Sequence, residues 1–184
     1  MTTRDRWLDE GMAVLTEQGA TGLRIDRLAA RLGLTKGSFH HHFKGAEDYR
    51  AALLERHERE QAAALADLER AAADGPPEAA FGMLADRVLD VLDADRERAV
   101  RAWSTGDPAA HAVQERLDAA RLALLERLWA KRSGASARSR AAALLPHLVV
   151  AGVSAVHPRP TPGEIRDVFA LLAELAPGVD PDGR

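Results

Sequence analysis

The chain has 184 residues, of which 46% are apolar and 29% charged; it carries no cysteine and a formal net charge of -3. This length and apolar content suit one extended core or two small ones, and the lack of cysteine excludes a disulfide framework, a cysteine nucleophile and a thiolate metal site. No apolar run reaches the roughly 18 residues of a membrane span, nor does a secretory apolar run follow Met1, so no membrane association and a cytoplasmic location are expected.

Periodicity predicts an all-α chain, because β-branched runs alternating with polar residues are missing. A first helix is expected over about residues 3 to 17, with Trp7, Leu8, Gly11, Met12, Val14 and Leu15 supplying its apolar positions and Gly19 closing it. Ile25, Leu28, Ala29 and Leu32 then fall at i, i+3, i+4 and i+7, the stripe of a short second helix. Gly33 can take the left-handed conformation that stops a helix within one residue. Leu34 follows as a core plug. Thr35 is suited to N-cap a third helix opening at Lys36, since its hydroxyl can accept from free backbone N–H groups. Phe39 and Phe43 lie four apart and share that helix's inner face, with His42 packed beside Phe43. The core expected for these three helices is Leu8, Met12, Leu15, Ile25, Leu28, Leu32, Leu34, Phe39 and Phe43.

The outer face of the third helix is small, polar or basic: Lys36, Gly37, Ser38, His40 and His41, with Lys44 just beyond. Gly and Ser permit close approach of the backbone to bases, and lysine can neutralise a phosphate or donate to guanine. This is the pattern of a DNA-reading helix-turn-helix; the competing reading is a two-helix corner of an ordinary helical protein. Residues 1 to 45 carry seven Lys or Arg against five Asp or Glu, and the remainder 18 against 23, an asymmetry that permits this reading without requiring it.

A long Ala-, Arg- and Glu-rich helix is expected from about 46 to 73, its start acidic at Glu47 and Asp48 and its end set by Asp-Gly-Pro-Pro at 74 to 77. It is a natural lever between a reading head and the rest. Further helices are expected at roughly 78 to 93, 95 to 104, 109 to 132, 136 to 156 and 164 to 175, with stripes Phe81, Leu84, Val88, Leu92; Val113, Leu117, Leu124, Leu128; and Ile165, Val168, Phe169, Leu172. Pro146 deletes a backbone hydrogen bond inside the penultimate helix and predicts a kink near residues 142 to 146. Residues 141 to 156 are apolar around most of the helix circumference, which suggests a partner. For a ligand between helices the candidates are Phe81, Trp103, His111, Gln114, Trp129 and His147, with Arg98 or Arg101 for an anion. The expected organisation is therefore a helix-turn-helix domain at 1–45 and a larger helical ligand and dimerisation domain at 46–184.

Gly19, Ala29, Gly33, Thr35, Lys36, Gly37, Ser38, Phe39, His42, Phe43 and Lys44 together resemble the N-terminal DNA-binding domain of the TetR family of transcriptional regulators. The resemblance implies double-stranded operator DNA as partner, a small-molecule effector, and a homodimer whose two C-terminal helices (about 136–156 and 164–175) form a four-helix bundle, setting two recognition helices about one helical turn apart. It implies a repressor that its effector releases from DNA. Two departures stand out. His40 and His41 replace the tyrosine or other aromatic usual in the family, although imidazoles can still donate to phosphate. Leu23 stands where the family commonly has a capping threonine, so Arg24 is the residue available for that phosphate contact.

Other chemistries fit the residues poorly. Three successive histidines diverge by about 100 degrees each on a helix and do not converge on one metal ion. No paired Glu-x-x-His, His-Glu-x-x-His, Gly-x-Ser-x-Gly, P-loop or dinucleotide pattern occurs, so neither catalysis nor a cofactor is expected. The alternative is an architectural DNA-binding protein on the same fold, with no small-molecule effector.

Overall fold

The structure, a computed structural model, describes residues 2–73, 83, 87, 93–134 and 137–174. These form eight α-helices and one short 3-10 turn, with no strand among the described residues. They pack as two compact units, one drawn from residues 1–60 and 95–115 and the other from 61–94 and 116–184. The expected helix at 78–93, with Phe81, Leu84, Val88 and Leu92, lies outside the described residues apart from Met83, Arg87 and Asp93.

In the first unit, α1 (Thr3–Gln18) opens on a capping box: the Asp5 amide donates to the Thr2 hydroxyl while the Thr2 amide donates to the Asp5 carboxylate. Gly19 ends it with φ 73°, and a single 3-10 turn (Ala20–Gly22) leads to α2 (Ile25–Leu32) and α3 (Lys36–His42). Arg31 on α2 pairs with Glu10 and Glu17 on α1, and the Arg6 guanidinium donates to the Leu32 carbonyl at 3.3 Å. Then α4 (Ala46–Ala73) contributes residues 46–60 here and the rest to the second unit.

The core is more aromatic than the stripes suggested. Trp7, Phe39, Phe43 and Tyr49 are all buried, and Phe39 meets Trp7, Phe43 and Tyr49 at centroid separations of 5.3, 5.2 and 5.4 Å. The Tyr49 hydroxyl donates to the Trp7 carbonyl at 2.6 Å, and its burial, reinforced by the Glu10 charge, holds it protonated well above the ordinary phenol range. Leu8, Met12, Leu15 and Leu28 are buried as expected, but Ile25, Leu32 and Leu34 are only half-buried. The eight residues of α2 turn only Leu28 and Ala29 fully inward, and Trp7, Val14, Leu23, Tyr49 and Leu53 fill the remaining space.

Gly11 is required by this packing. A Cβ there would lie 1.9 Å from the Tyr49 hydroxyl oxygen, which its hydrogen bond and burial hold in place. Gly11→Val is therefore expected to destabilise the first unit by about 2–3 kcal/mol, through overpacking and the displaced hydroxyl. Its thermal unfolding checks this, and an unchanged midpoint would show that Tyr49 moves aside freely.

The first unit also holds α5 (Ala94–Ser104) from Asp95 onward and the start of α6 (Pro108–Ser133). The Asp107 carboxylate caps α6, accepting from the amides of Ala109 and Ala110 at 2.9 and 3.1 Å and from the Trp103 indole N–H at 3.0 Å. These contacts, the Ala110 amide foremost, hold its pKa below the usual carboxylate value. Asp107→Ala should lower stability by about 1 kcal/mol at neutral pH. Because the folded-state value is depressed, that difference is fully present above about pH 4 and fades as pH falls through the folded value; urea unfolding at neutral and acidic pH checks it.

In the second unit, Leu68 and Ala72 of α4 pack with Leu124, Leu128 and Trp129 of α6 and Ala143 of α7 (Ala137–Val153). The Arg121 guanidinium, buried here, donates to the Gln61 side-chain oxygen at 2.9 Å. Helix α7 continues through Pro146 as one element and stops at Val153, short of the expected residue 156. There the Ala155 and Val156 amides both donate to the Gly152 carbonyl and turn the chain away. Helix α8 (Pro162–Glu174) begins earlier than expected because Thr161 and Glu164 form a capping box with Pro162 at the first helical position. Val153, Ile165 and Phe169 make a second small core with Val149 and Val150. Val168, expected in the buried stripe, is 42% exposed, since the inward face of α8 is set by Ile165 and Phe169 four residues apart.

Candidate nucleic-acid interface

The α2–α3 corner is built by local chemistry. Gly33 adopts φ 65°, ψ 30°, and the Leu34 amide reaches back to the Ala29 carbonyl at 2.9 Å, closing α2. Thr35 is extended at φ -92°, ψ 156°, and its hydroxyl oxygen accepts from the Ser38 amide at 3.2 Å. Helix α3 thus starts at Lys36, with Phe39 and Phe43 sealed beneath it.

What remains outside is the candidate surface. Thr35, Lys36, Gly37, His40, His41 and Lys44 are exposed and Ser38 is half-buried, so the structure brings these residues to one short helix and its two flanks. No acidic side chain occurs on α3. The Thr35 hydroxyl proton remains able to donate outward while the oxygen caps the helix. A Cβ on Gly37 would meet only the Thr35 hydroxyl oxygen, at an ordinary 3.6 Å, so packing does not demand glycine there; its effect is to keep the surface low. Lys44 is held at its backbone, where its amide donates to the Asp48 carboxylate at 2.8 Å, and the residue is exposed just beyond α3.

Arg24, at the start of α2, is exposed but sits 3.3 Å from Asp26. The Arg24 hydrogen bond keeps the Asp26 carboxyl below its ordinary range. A surface pair of this kind is weak and can be exchanged for a phosphate. His42 is half-buried beside Phe43, at 6.3 Å between centroids.

One cation at this surface escaped the sequence pattern. The Arg4 guanidinium carbon lies 5.3 Å above the Phe43 ring, which brings the first turn of α1 to the exit of α3. Spacing could not reveal it, because 39 positions separate the two residues.

The candidate ligand residues are less coherent. Trp103, His111 and Gln114 belong to the first unit and Trp129 and His147 to the second, while Phe81 lies outside the described residues. Trp103 and Gln114 are buried, the latter donating to Glu97 at 3.3 Å; His111 is exposed and His147 half-buried. Arg98 and Arg101 pair with Asp95 and Glu97. Among the described residues no group of three or more metal-ligating side chains converges, and no helix is long and apolar enough to cross a membrane.

Residues 8–53 match the family described as bacterial regulatory proteins, tetR family. The HTH-type transcriptional repressor NemR of Escherichia coli strain K12 is 36% identical over 55 residues, 30% of this chain. The match spans only 28% of NemR's own length. Similarity of fold extends much further: the reduced form of E. coli NemR superposes with a TM-score of 0.76 at 17% identity over 97% of this chain and 100% of that one. A transcriptional regulator from Rhodococcus sp. Rha1 gives 0.74 at 18% over 95% and 96%. A Streptomyces coelicolor A3 member of the TetR family gives 0.64 at 22% over 93% and 98%.

Proposed function

We propose that this chain, which belongs to the TetR family of transcriptional regulators, is a cytoplasmic, homodimeric repressor that reads operator DNA through α3 and is released from it by a small molecule. The observation that carries the reading is the two-sided character of α3: Phe39 and Phe43 fully engaged below, and an acid-free surface of small, polar and basic residues above. Lys36 and Lys44 act on phosphates, with Arg24 and His41 in support. Thr35, Gly37, Ser38 and His40 lie where base edges are read. The division of labour is a reading head at 1–45 and an effector and dimer domain at 46–184, with no catalytic role for either.

One feature supports the homodimer. Leu145, Leu148, Val156, Val168 and Leu171, on α7, α8 and the segment between them, are 42–60% exposed, an apolar set that a second copy would cover as part of a four-helix bundle. A ligand favouring the conformation whose heads mismatch the half-sites would release DNA by linkage.

Titration of the protein against DNA from upstream of its own gene and against scrambled DNA, at several salt concentrations, tests the reading. Preferential saturable binding is expected. Lys36→Ala should weaken all sequences about equally and lower the salt slope by roughly 1. Indifference to sequence would indicate an architectural protein, and no binding would reduce the motif to a structural corner.

A further inference from the structure

The exit of α3 carries an arrangement that DNA reading alone does not require. His40, His41 and His42 follow one another in its last turn, where the carbonyl end of the helix favours a cation. His40 and His41 are exposed. The imidazole of His40 stands edge-on to Phe39 at 5.4 Å and that of His41 edge-on to His42 at 5.0 Å, with neither ring held by a hydrogen bond among the described residues.

The charged groups on the surrounding elements are mostly fixed cations. Lys36 lies one turn earlier on α3, Lys44 follows its end, and Arg4 of α1 covers Phe43. From α2, which packs against α3, come Asp26, Arg27 and Arg31; Asp26 is held by Arg24 and Arg31 by Glu10 and Glu17. From α4 come Glu47 and Asp48, the latter occupied by the Lys44 amide. A phosphate bound there is an anion beside groups that gain both a charge and a second donor on protonation.

We propose that DNA binding by this head is proton-linked: His40 and His41 take up protons as phosphates arrive, so that the complex tightens in mildly acidic conditions. This rests on the DNA-binding reading of α3 and adds a form of regulation to it. Lys36, Lys44 and Arg4 supply the contact that does not vary with pH, and the two imidazoles supply the part that does. Imidazole is the side chain whose charge changes between about pH 5 and 8, so the response is expected between about pH 8 and 6. Tyrosine at these positions would give no such response, as its phenol stays protonated throughout this range.

The experiment is fluorescence anisotropy of a labelled duplex from upstream of the chain's own gene, with ionic strength held constant as pH is lowered. Wild type should bind at least about fivefold more tightly at pH 6 than at pH 8. The His40→Gln/His41→Gln double variant keeps polar side chains that do not titrate, and should give a flat profile whatever its absolute affinity. Its unfolding temperature, expected to match wild type because both positions are exposed, guards against misfolding. Lys36→Ala should bind more weakly yet keep the pH slope. Calorimetry of the wild-type complex near pH 6.5, in two buffers of different ionisation enthalpy, should give different apparent enthalpies, the mark of proton uptake. A flat wild-type profile alongside good binding would overturn proton linkage and leave the DNA-binding reading intact, as would a slope that survives the double substitution. No binding by wild type at any pH would overturn both.

Discussion

Phe39→Ala is expected to cost the first unit about 3–5 kcal/mol, the range for deleting a fully buried aromatic ring. Phe39 is 0% exposed and is the one ring that touches Trp7, Phe43 and Tyr49, so its loss opens a cavity that three rigid neighbours cannot close. Two consequences follow. The unfolding midpoint should fall steeply, and DNA binding should vanish with it, because Phe39 and Phe43 are the buried side chains beneath α3. Phe39→Leu, which retains most of the volume, should recover much of both. Denaturant unfolding of the three proteins checks the order; a loss below about 1 kcal/mol for the alanine variant would mean that the head is organised around some other core.

The second large effect concerns the exposed apolar set on α7 and α8. Leu148 is 60% exposed, so Leu148→Glu should leave the folded chain intact and should instead place a charge where the proposed partner copy packs. Sedimentation should show monomer in place of dimer. DNA affinity should drop by roughly 100-fold or more, since each head then binds one half-site without the effective concentration that the dimer provides. A variant that remains dimeric would remove α7 and α8 as the proposed interface; one that becomes monomeric with unchanged affinity would show that a single head suffices.

Much of the head was legible in the sequence because its determinants are local. Gly33 ends α2 and Thr35 caps α3 through bonds made within five residues, and Phe39 and Phe43 declare their shared face by spacing alone. The outward position of Lys36, Gly37 and His40 follows from that face. The capping box of Thr161 and Glu164 was equally local, written as Thr-Pro-Gly-Glu, and could have placed the start of α8 correctly. Long-range pairings were not legible. Nothing in the spacing links Tyr49 to the Trp7 carbonyl or Arg4 to the Phe43 ring, although these contacts fix how α1, α3 and α4 meet.

The errors within the helices share a cause. Ile25, Leu32 and Val168 are apolar residues at helical spacing, and periodicity names a stripe without saying how wide the facing surface is, while the inward expectation for Leu34 rests on its position in the turn alone. Helix α2 is short and meets a neighbour already filled by aromatic rings, so its outer stripe residues remain half-buried. Trp103 shows the opposite limit. Its spacing marks it only as a ligand candidate and does not announce the bond that its indole N–H makes to the Asp107 cap of α6. An effector residue is legible only when several distant positions converge, and these candidates are divided between two units.

On the proposed function, α3 reads a DNA sequence as one of a symmetric pair. Selection of bound duplexes from a random pool, with the wild-type protein and with Lys36→Ala alongside, tests it most directly. Recovery of an inverted repeat whose half-sites are centred about 10 base pairs apart or slightly more is the predicted result, with binding weakened but the same repeat recovered by Lys36→Ala. A bound pool with no sequence in common would contradict it.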